Sequence, residues 1–307
     1  VTRRLKQSVG DHTALFGLFC GPLTLASHLR GTKLYINMRK KPEYVAALME
    51  YTTRVALQMA DYYIAAGADM IAPVDPVVSQ ISPDTFRQFL SGPYTRIFDH
   101  IRSKGRLSSF FVCGNAIANL EEMCLTGPDG ISVDENIPME KAKAITDVHN
   151  ITIGGNIPLT TTMLFGNQQD NMKYVVDMID RLPSTDNLVV APGCDMPYNT
   201  PIENAIAVSE VLQDIEKYRR ILRDYEGEDL AADAVIPDYT ILERPLIEVF
   251  TLDSASCAAC QYMWAAVCDA KEKYGDAIDI VEYKYTTRAG ISQSKAMGVA
   301  QLPTIYI

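Results

Sequence analysis

The sequence predicts an α/β protein in which an incomplete (β/α)8 barrel is followed by a smaller α/β unit. Six short apolar runs, rich in Val, Ile, Leu and Phe and with Gly, Asp or Asn at or near their ends, are typical of buried parallel strands. Longer amphipathic stretches separate the runs, so strands and helices alternate and predict right-handed crossovers. No glycine-rich dinucleotide fingerprint follows any run, which favours a barrel over a doubly wound sheet.

The predicted strands, in chain order, are TALFGLFC, ADMIAPVD, SSFFVCG, DGISVDE, NITIGGN and NLVVAPGC. Apolar residues recur at helical spacing between them, as in PEYVAALMEYTTRVALQMADYYIAAG and PDTFRQFLSGPYTRIFDHIRSKG. Ser82 and Pro83 open the second of these helices, and Gly67 and Gly105 close the two. Val1 stands within a helical pattern, so we expect the first strands of the barrel to be missing from the chain.

The composition changes after residue 218. Residues 219–243 are acidic and weakly periodic, which predicts a linker or a docking segment. Residues 244–307 then read strand, helix, strand, helix, strand, which predicts the second α/β unit. The predicted domains are therefore a barrel over 1–218 and a small domain over 244–307, joined by the linker.

Composition and charge argue against several classes of function. The 307 residues carry a formal net charge of −10 and no run rich in Lys or Arg, so we expect no nucleic-acid partner. The longest apolar stretch, ALFGLFCGPLTLASHL, is interrupted by Gly and Pro, so we expect no membrane span. Seven cysteines without a secretory leader favour a reducing, cytoplasmic location with reactive or metal-binding thiols. The oligomeric state stays open.

Chemically useful residues stand at the ends of the predicted strands, where barrel enzymes form their active sites. Cys113 and Cys194 are candidate thiolate ligands for zinc, with a catalytic carboxylate from Asp75 or Glu135. The alternative is structural: such cysteines pack as small buried side chains, and such acids cap the following helices. Three more polar residues at strand ends are predicted to bind substrate, namely Asn115, Asp134 and Asn156.

Several segments between Thr13 and Tyr218 together resemble the uroporphyrinogen decarboxylase superfamily. They are FCGPLTLASHL, GADMIAPVDPVVSQISPDTFRQFLSGPY, FFVCGNAIANLEEM, GPDGISVDENIPMEKAK, TIGGNIP and APGCDMPYNTP. They are most similar to its zinc-dependent methyltransferases, which move methyl groups between a corrinoid protein and a thiol such as coenzyme M. The resemblance implies a TIM barrel, zinc on Cys113 and Cys194, a corrinoid protein as partner and a small thiol as substrate. It also implies a histidine ligand where this chain has Phe111, so metal affinity or metal choice would differ.

The leading hypothesis is therefore a methyltransferase in which zinc keeps the substrate thiol deprotonated for attack on a cobalt-bound methyl group. Two alternatives stay open: a decarboxylase-like enzyme acting on a tetrapyrrole, and a non-catalytic barrel that binds a corrinoid protein or a tetrapyrrole. The decarboxylase is disfavoured because the visible strand ends carry no Arg or Lys to pair with the carboxylates of a porphyrinogen.

The segment SCAAC predicts a second chemistry through Cys257 and Cys260. A Cys-x-x-Cys pair that follows a strand and opens a helix places its first thiol at the helix N-terminus, where the dipole favours the thiolate. No second Cys or His pair stands nearby to complete a zinc knuckle, so a catalytic redox pair is predicted. The unit resembles a thioredoxin-like domain that ends before its last strand and helix, with Pro303 at that fold's cis-proline, a substrate-binding position.

Overall fold

The computed structural model describes residues 1–227, 234–255, 257–300 and 302–307. Backbone contacts divide the chain into two compact units. The first unit comprises Val1–Asn156 and Arg181–Cys194, and the second comprises Ile157–Asp180 and Asp195–Ile307. The domain boundaries predicted at residues 218 and 243 stay a prediction. Part of the predicted linker, residues 228–233, lies outside the described residues.

Six strands form one sheet whose spatial order follows the chain, with parallel pairing from the first strand to the fifth. Their bounds are β1 Phe16–Cys20, β2 Met70–Val74, β3 Leu107–Val112, β4 Gly130–Val133, β5 Thr152–Ile157 and β6 Leu188–Pro192. Each strand overlaps one of the predicted apolar runs and extends beyond it by at most one residue, at Leu107 in β3 and Ile157 in β5, so the α/β class and its sheet of six strands are confirmed. Chain-order neighbours joined by helices are what a barrel wall requires.

The described range 1–227 contains eleven helices. Their bounds are α1 Thr2–Val9, α2 Pro22–Arg30, α3 Lys33–Lys40, α4 Pro42–Ala65, α5 Pro83–Phe89, α6 Ser91–Ser103, α7 Leu120–Leu125, α8 Met139–Val148, α9 Gln168–Arg181, α10 Ile202–Gln213 and α11 Ile215–Ile221. Short 3-10 or π turns occupy Pro76–Gln80, Ile117–Asn119 and Leu159–Leu164. None of the helices in the described parts of the chain is long and apolar enough to cross a membrane.

The helix boundaries follow from local signals in the sequence. Ser82 caps α5 by accepting a hydrogen bond from the backbone N–H of Thr85 at 3.3 Å. Gly105, after α6, has a φ of 67°, a left-handed conformation that favours glycine. The single helix predicted over this stretch is two helices, α5 and α6, because Pro93 has no N–H for the carbonyl of Phe89.

An aromatic cluster joins these helices to the sheet. Tyr94 of α6 stacks on Phe110 of β3 with ring centroids 4.0 Å apart. Phe86 and Phe98 pack against the same rings at centroid distances of 5.6 to 6.3 Å. All four side chains are fully buried. This packing brings the Tyr94 hydroxyl to the carboxyl end of β2, where it meets a buried acid.

That acid is Asp75, which holds the N-terminus of α2 from the neighbouring strand. Its carboxylate accepts hydrogen bonds from the backbone N–H groups of Leu23 and Thr24 at 2.9 and 2.8 Å, and from the Tyr94 hydroxyl at 2.6 Å. Burial raises the pKa of Asp75, while the hydrogen bonds from Thr24 and Tyr94 oppose that rise. Asp75 therefore acts as a cap for a helix that lies elsewhere in the sequence.

The second unit contains a small sheet in the order β8-β7-β9, with β8 parallel and β9 antiparallel to β7. The bounds are β7 Leu246–Thr251, α12 Ala258–Tyr274, β8 Asp279–Lys284, α13 Arg288–Ala296 and β9 Thr304–Tyr306, with a 3-10 turn at Gly275–Ala277. Ile247, Val249 and Val267 form its core, against which Trp264 packs. The predicted second α/β unit is present, and its thioredoxin-like identity stays a prediction.

We expect Asp75→Ala to lower the free energy of unfolding by about 3–5 kcal/mol, because it leaves four buried donors without an acceptor, namely the N–H groups of Leu23 and Thr24 and the hydroxyls of Thr24 and Tyr94. Urea unfolding followed by circular dichroism measures this change. Asp224→Ala removes an exposed carboxylate and serves as the control, with an expected change within about 0.5 kcal/mol. A loss of less than about 1 kcal/mol in Asp75→Ala would contradict the capping role.

Candidate functional site

Two cysteines meet at the ends of β3 and β6. Cys113 directly follows β3, and Cys194 lies two residues beyond β6. Their Sγ atoms are 2.9 Å apart, and both residues are half-buried. Three strand spacings in a flat sheet would separate these ends by about 14 Å, so the contact requires the sheet to curl as a barrel wall does. The structure therefore brings together the two thiols that the sequence proposes as metal ligands.

Asp134, at the end of β4, holds the turn that carries Cys113. Its Oδ2 accepts hydrogen bonds from the backbone N–H of Gly114 at 2.5 Å and from Nδ2 of Asn136 at 2.9 Å. Gly114 has a φ of 83°, and a Cβ at that position would lie 2.7 Å from Oγ of Ser79. Burial raises the pKa of Asp134, against the opposing effect of these hydrogen bonds. The substrate-binding role of Asp134 stays a prediction.

Gly193 allows the end of β6 to lie against residues 134 and 135. A Cβ on Gly193 would stand 2.6 Å from Oε2 of Glu135 and 3.2 Å from Cα of Asp134. Glu135 is thereby placed beside the residue that precedes Cys194. The pKa of Cys113 is raised well above its ordinary value by the hydrogen bond to Cys194, by burial, and by nearby negative charge that includes Asp134 and Glu135. The site is thus acidic, and it favours thiols over thiolates.

The two asparagines predicted to bind substrate occupy different environments. Asn156, in β5, is buried, and its Nδ2 donates to the backbone oxygens of Asp134 at 3.1 Å and Ile137 at 2.6 Å. Asn115 is exposed, and its Oδ1 accepts a hydrogen bond from the backbone N–H of Ile117 at 3.4 Å. Asn156 therefore ties β5 to the loop after β4, whereas Asn115 is exposed two residues after Cys113. Substrate binding by either residue stays a prediction.

The donors in this site fit zinc only in part. Two thiols are donors that zinc prefers, but protein zinc sites use three or four side chains. Among the residues that the structure describes, no group of three or more His, Cys, Asp or Glu side chains is arranged to hold a metal ion. Phe111, two residues before Cys113, offers no donor atom. The residues present do not complete a zinc site, and zinc on Cys113 and Cys194 stays a prediction.

A second thiol pair lies in the C-terminal unit. Cys257 is the N-cap of α12, and its Sγ accepts a hydrogen bond from the backbone N–H of Cys260 at 3.4 Å. The two Sγ atoms are 2.6 Å apart. Cys260 is fully buried, and its pKa is raised by the hydrogen bond to Cys257, by burial and by the charge of Cys257. Cys257 is half-buried at a helix N-terminus, a position that favours a reactive thiolate.

Two charged residues of β8 hold the loop that leads to Cys257. The carboxylate of Glu282 accepts hydrogen bonds from the hydroxyl of Thr251 at 2.5 Å and from the hydroxyl and N–H of Ser254 at 3.0 and 3.2 Å. Lys284 forms an ion pair with Asp253 at 2.9 Å, and the backbone oxygen of Asp253 accepts the N–H of Cys257. The loop is therefore fixed from a neighbouring strand.

Sequence analysis missed Gly193, Glu282 and Lys284. Glu282 and Lys284 are two residues apart in a strand, so their side chains share a face. The spacing of these two charged residues was the sequence signal that could have identified them. No pattern in a single sequence could have identified Gly193, because its importance arises from a contact with the loop after β4. The Leu302–Pro303 peptide bond is cis, and the substrate-binding role of Pro303 stays a prediction.

The chain is similar to several known proteins. Over 216 residues the chain is 32% identical to methylcobamide:CoM methyltransferase MtaA of Methanosarcina barkeri, a match that covers 66% of this chain and 59% of that protein. It is 27% identical over 217 residues to uroporphyrinogen decarboxylase of Anaeromyxobacter dehalogenans, covering 68% and 61% of the two chains. A solved methyltransferase from Methanosarcina mazei aligns with a TM-score of 0.64 at 27% identity, covering 70% of this chain and 62% of that one.

The chain thus spans about three fifths of the length of these relatives. Residues 1–215 match the uroporphyrinogen decarboxylase (URO-D) family, and the sheet of six strands is consistent with a TIM-barrel-like fold. Because this match covers more than two thirds of the sequence, the chain belongs to the uroporphyrinogen decarboxylase family.

Proposed function

We propose that this chain transfers a methyl group between a corrinoid protein and a small thiol. The observation that carries the proposal is the contact between Cys113 and Cys194 at the ends of two strands, in a chain similar to methylcobamide:CoM methyltransferases. A decarboxylase of porphyrinogens is less well supported, because Asp134 and Glu135 make the site acidic and would repel the carboxylates of such a substrate.

In the proposed reaction the acceptor thiol binds beside Cys113 and Cys194, and Glu135 takes its proton. The sulfur lone pair then forms a bond to the methyl carbon. The bond between that carbon and cobalt breaks, and its electron pair stays with the corrinoid of the partner protein. The products are a thioether, the demethylated corrinoid and a protonated Glu135. Asp134 keeps the Cys113 turn in place, and the exposed Asn115 binds the polar end of the thiol substrate. No step is assigned to a metal, because the residues present do not complete a metal site.

We expect Glu135→Gln to lower kcat about 100-fold or more with methylcobalamin and coenzyme M, because it removes the proton acceptor and leaves the shape of the site unchanged. The assay follows the absorbance of methylcobalamin and the thioether by mass spectrometry. Glu43→Gln changes an exposed carboxylate in the first turn of α4 and should react at the unchanged rate.

Unchanged kcat in Glu135→Gln would remove the proposed base. Absence of thioether with the unaltered chain would reject methyl transfer from a free corrinoid to this thiol.

We further propose that Cys257 and Cys260 act as a dithiol that reduces disulfides. The half-buried Cys257 attacks one sulfur of a substrate disulfide and releases the other as a thiolate. The buried Cys260 then attacks the mixed disulfide, so that the substrate leaves reduced and the pair is left oxidised. The partial exposure of Cys257 and the full burial of Cys260 support this order of attack, and the Sγ distance of 2.6 Å supports the second step.

We expect Cys260→Ser to accumulate a mixed disulfide on Cys257 when the chain meets a small aromatic disulfide, because the resolving thiol is gone. Cys257→Ser should form no adduct at Cys260, which is buried. Peptide mapping by mass spectrometry identifies the modified residue. Cys268→Ser, on the same helix, is the control and should turn over like the unaltered chain. An adduct that persists equally in all variants would contradict the dithiol mechanism.

A further inference from the structure

We propose that Cys113 and Cys194 close to a reversible disulfide, so that the pair is a redox-controlled bond between the ends of β3 and β6. This inference concerns the state of the two thiols and does not require that the chain transfers methyl groups. It follows from three features of the site: the distance between the sulfurs, the hydrogen bonds that hold the Cys113 turn and the missing third donor.

The distance between the sulfurs is already short. The 2.9 Å between the two Sγ atoms lies between the separation in a disulfide, about 2.05 Å, and that of two thiolates on a tetrahedral zinc ion, about 3.8 Å from Zn–S bonds of about 2.3 Å. Both thiols are held there by their neighbours. Gly114 is anchored to Asp134, and Gly193 lies against Glu135.

The carboxylate of Asp134 fixes the turn that carries Cys113. Both oxygens of Asp134 accept hydrogen bonds from Gly114 and Asn136, so this carboxylate is already engaged in holding the loops.

The missing donor leaves the pair open to oxidation. With Phe111 where a third ligand would stand, a metal ion has two thiol donors from these strands and is held weakly. A metal that binds weakly leaves both thiols available to oxidants for most of the time.

The reaction balances with a small disulfide, such as oxidised glutathione, as the oxidant. One thiolate of the pair attacks this disulfide, forms a mixed disulfide and releases one small thiol. The second cysteine then attacks and releases the other small thiol, so that two electrons and two protons leave the pair. A reduced dithiol reverses the reaction by reducing the Cys113–Cys194 disulfide. Cys257 and Cys260 form a dithiol that could act in this way. While the bond is closed, neither sulfur at the strand ends is available to a substrate.

The test uses the full chain with Cys257→Ser and Cys260→Ser, so that the second pair does not contribute. The reduced protein is equilibrated in glutathione buffers of stepped ratio, trapped with an alkylating reagent and mapped by mass spectrometry. We expect a linked Cys113–Cys194 peptide, with loss of alkylation at both residues in one transition. Cys20→Ser and Cys124→Ser, the matched controls in the barrel, should leave the transition unchanged, and Cys113→Ser should abolish it.

A second variant separates oxidation from metal binding. Phe111→His adds a nitrogen donor two residues before Cys113, so this variant should retain zinc after dialysis and should not form the disulfide. Phe111→Leu adds no donor and should behave like the unaltered chain. Two results would overturn the proposal: no linked peptide in any buffer, or tight zinc in the unaltered chain with both thiols still reduced. Methyl transfer is assayed separately on the reduced chain, so its failure leaves this result unaffected.

Discussion

The loop after β4 is the point at which four strand ends meet. The carboxylate of Asp134 accepts the N–H of Gly114 from the end of β3, and its backbone oxygen accepts Nδ2 of Asn156 from β5. Gly193, after β6, packs on Cα of Asp134 and on Glu135. The positions of Cys113 and Cys194 both depend on this loop, because each cysteine is next to a glycine that contacts the loop. Cys113 precedes Gly114, and Cys194 follows Gly193. A buried acid with satisfied hydrogen bonds thus fixes the mouth of the sheet.

This arrangement has an electrostatic consequence. Two acids and two thiols share one site, and the structure places no Lys or Arg among the described contacts of the pair. Deprotonation of either thiol therefore adds negative charge to a site that already carries it. This added charge is avoided when a thiolate binds a cation or when the two sulfurs join in a disulfide. Which of these occurs depends on how many donors a cation would find, and Phe111 offers none.

The sequence predicted the elements better than their contacts. Apolar runs located all six barrel strands, because buried parallel strands are continuous in sequence. It suggested that Asp75 either caps the helix that follows it or takes part in catalysis. The structure shows that Asp75 caps the earlier helix α2 and accepts a hydrogen bond from Tyr94 of α6, and its catalytic role stays a prediction. The contact of Cys113 with Cys194 was expected from a resemblance, whereas its physical cause is the curl of the sheet, which no local pattern records.

The two thiol pairs differ in how the chain encodes them, and this difference has an energetic consequence. Cys257 and Cys260 are three residues apart at a helix start, so a bond between them closes a very short loop and restricts the unfolded chain little. Cys113 and Cys194 are 81 residues apart. Loop-closure entropy for that length favours the folded, cross-linked chain by about 4–5 kcal/mol. Oxidation of this pair therefore acts on the stability of the whole sheet between β3 and β6, whereas oxidation of the other pair stays a local event at one helix.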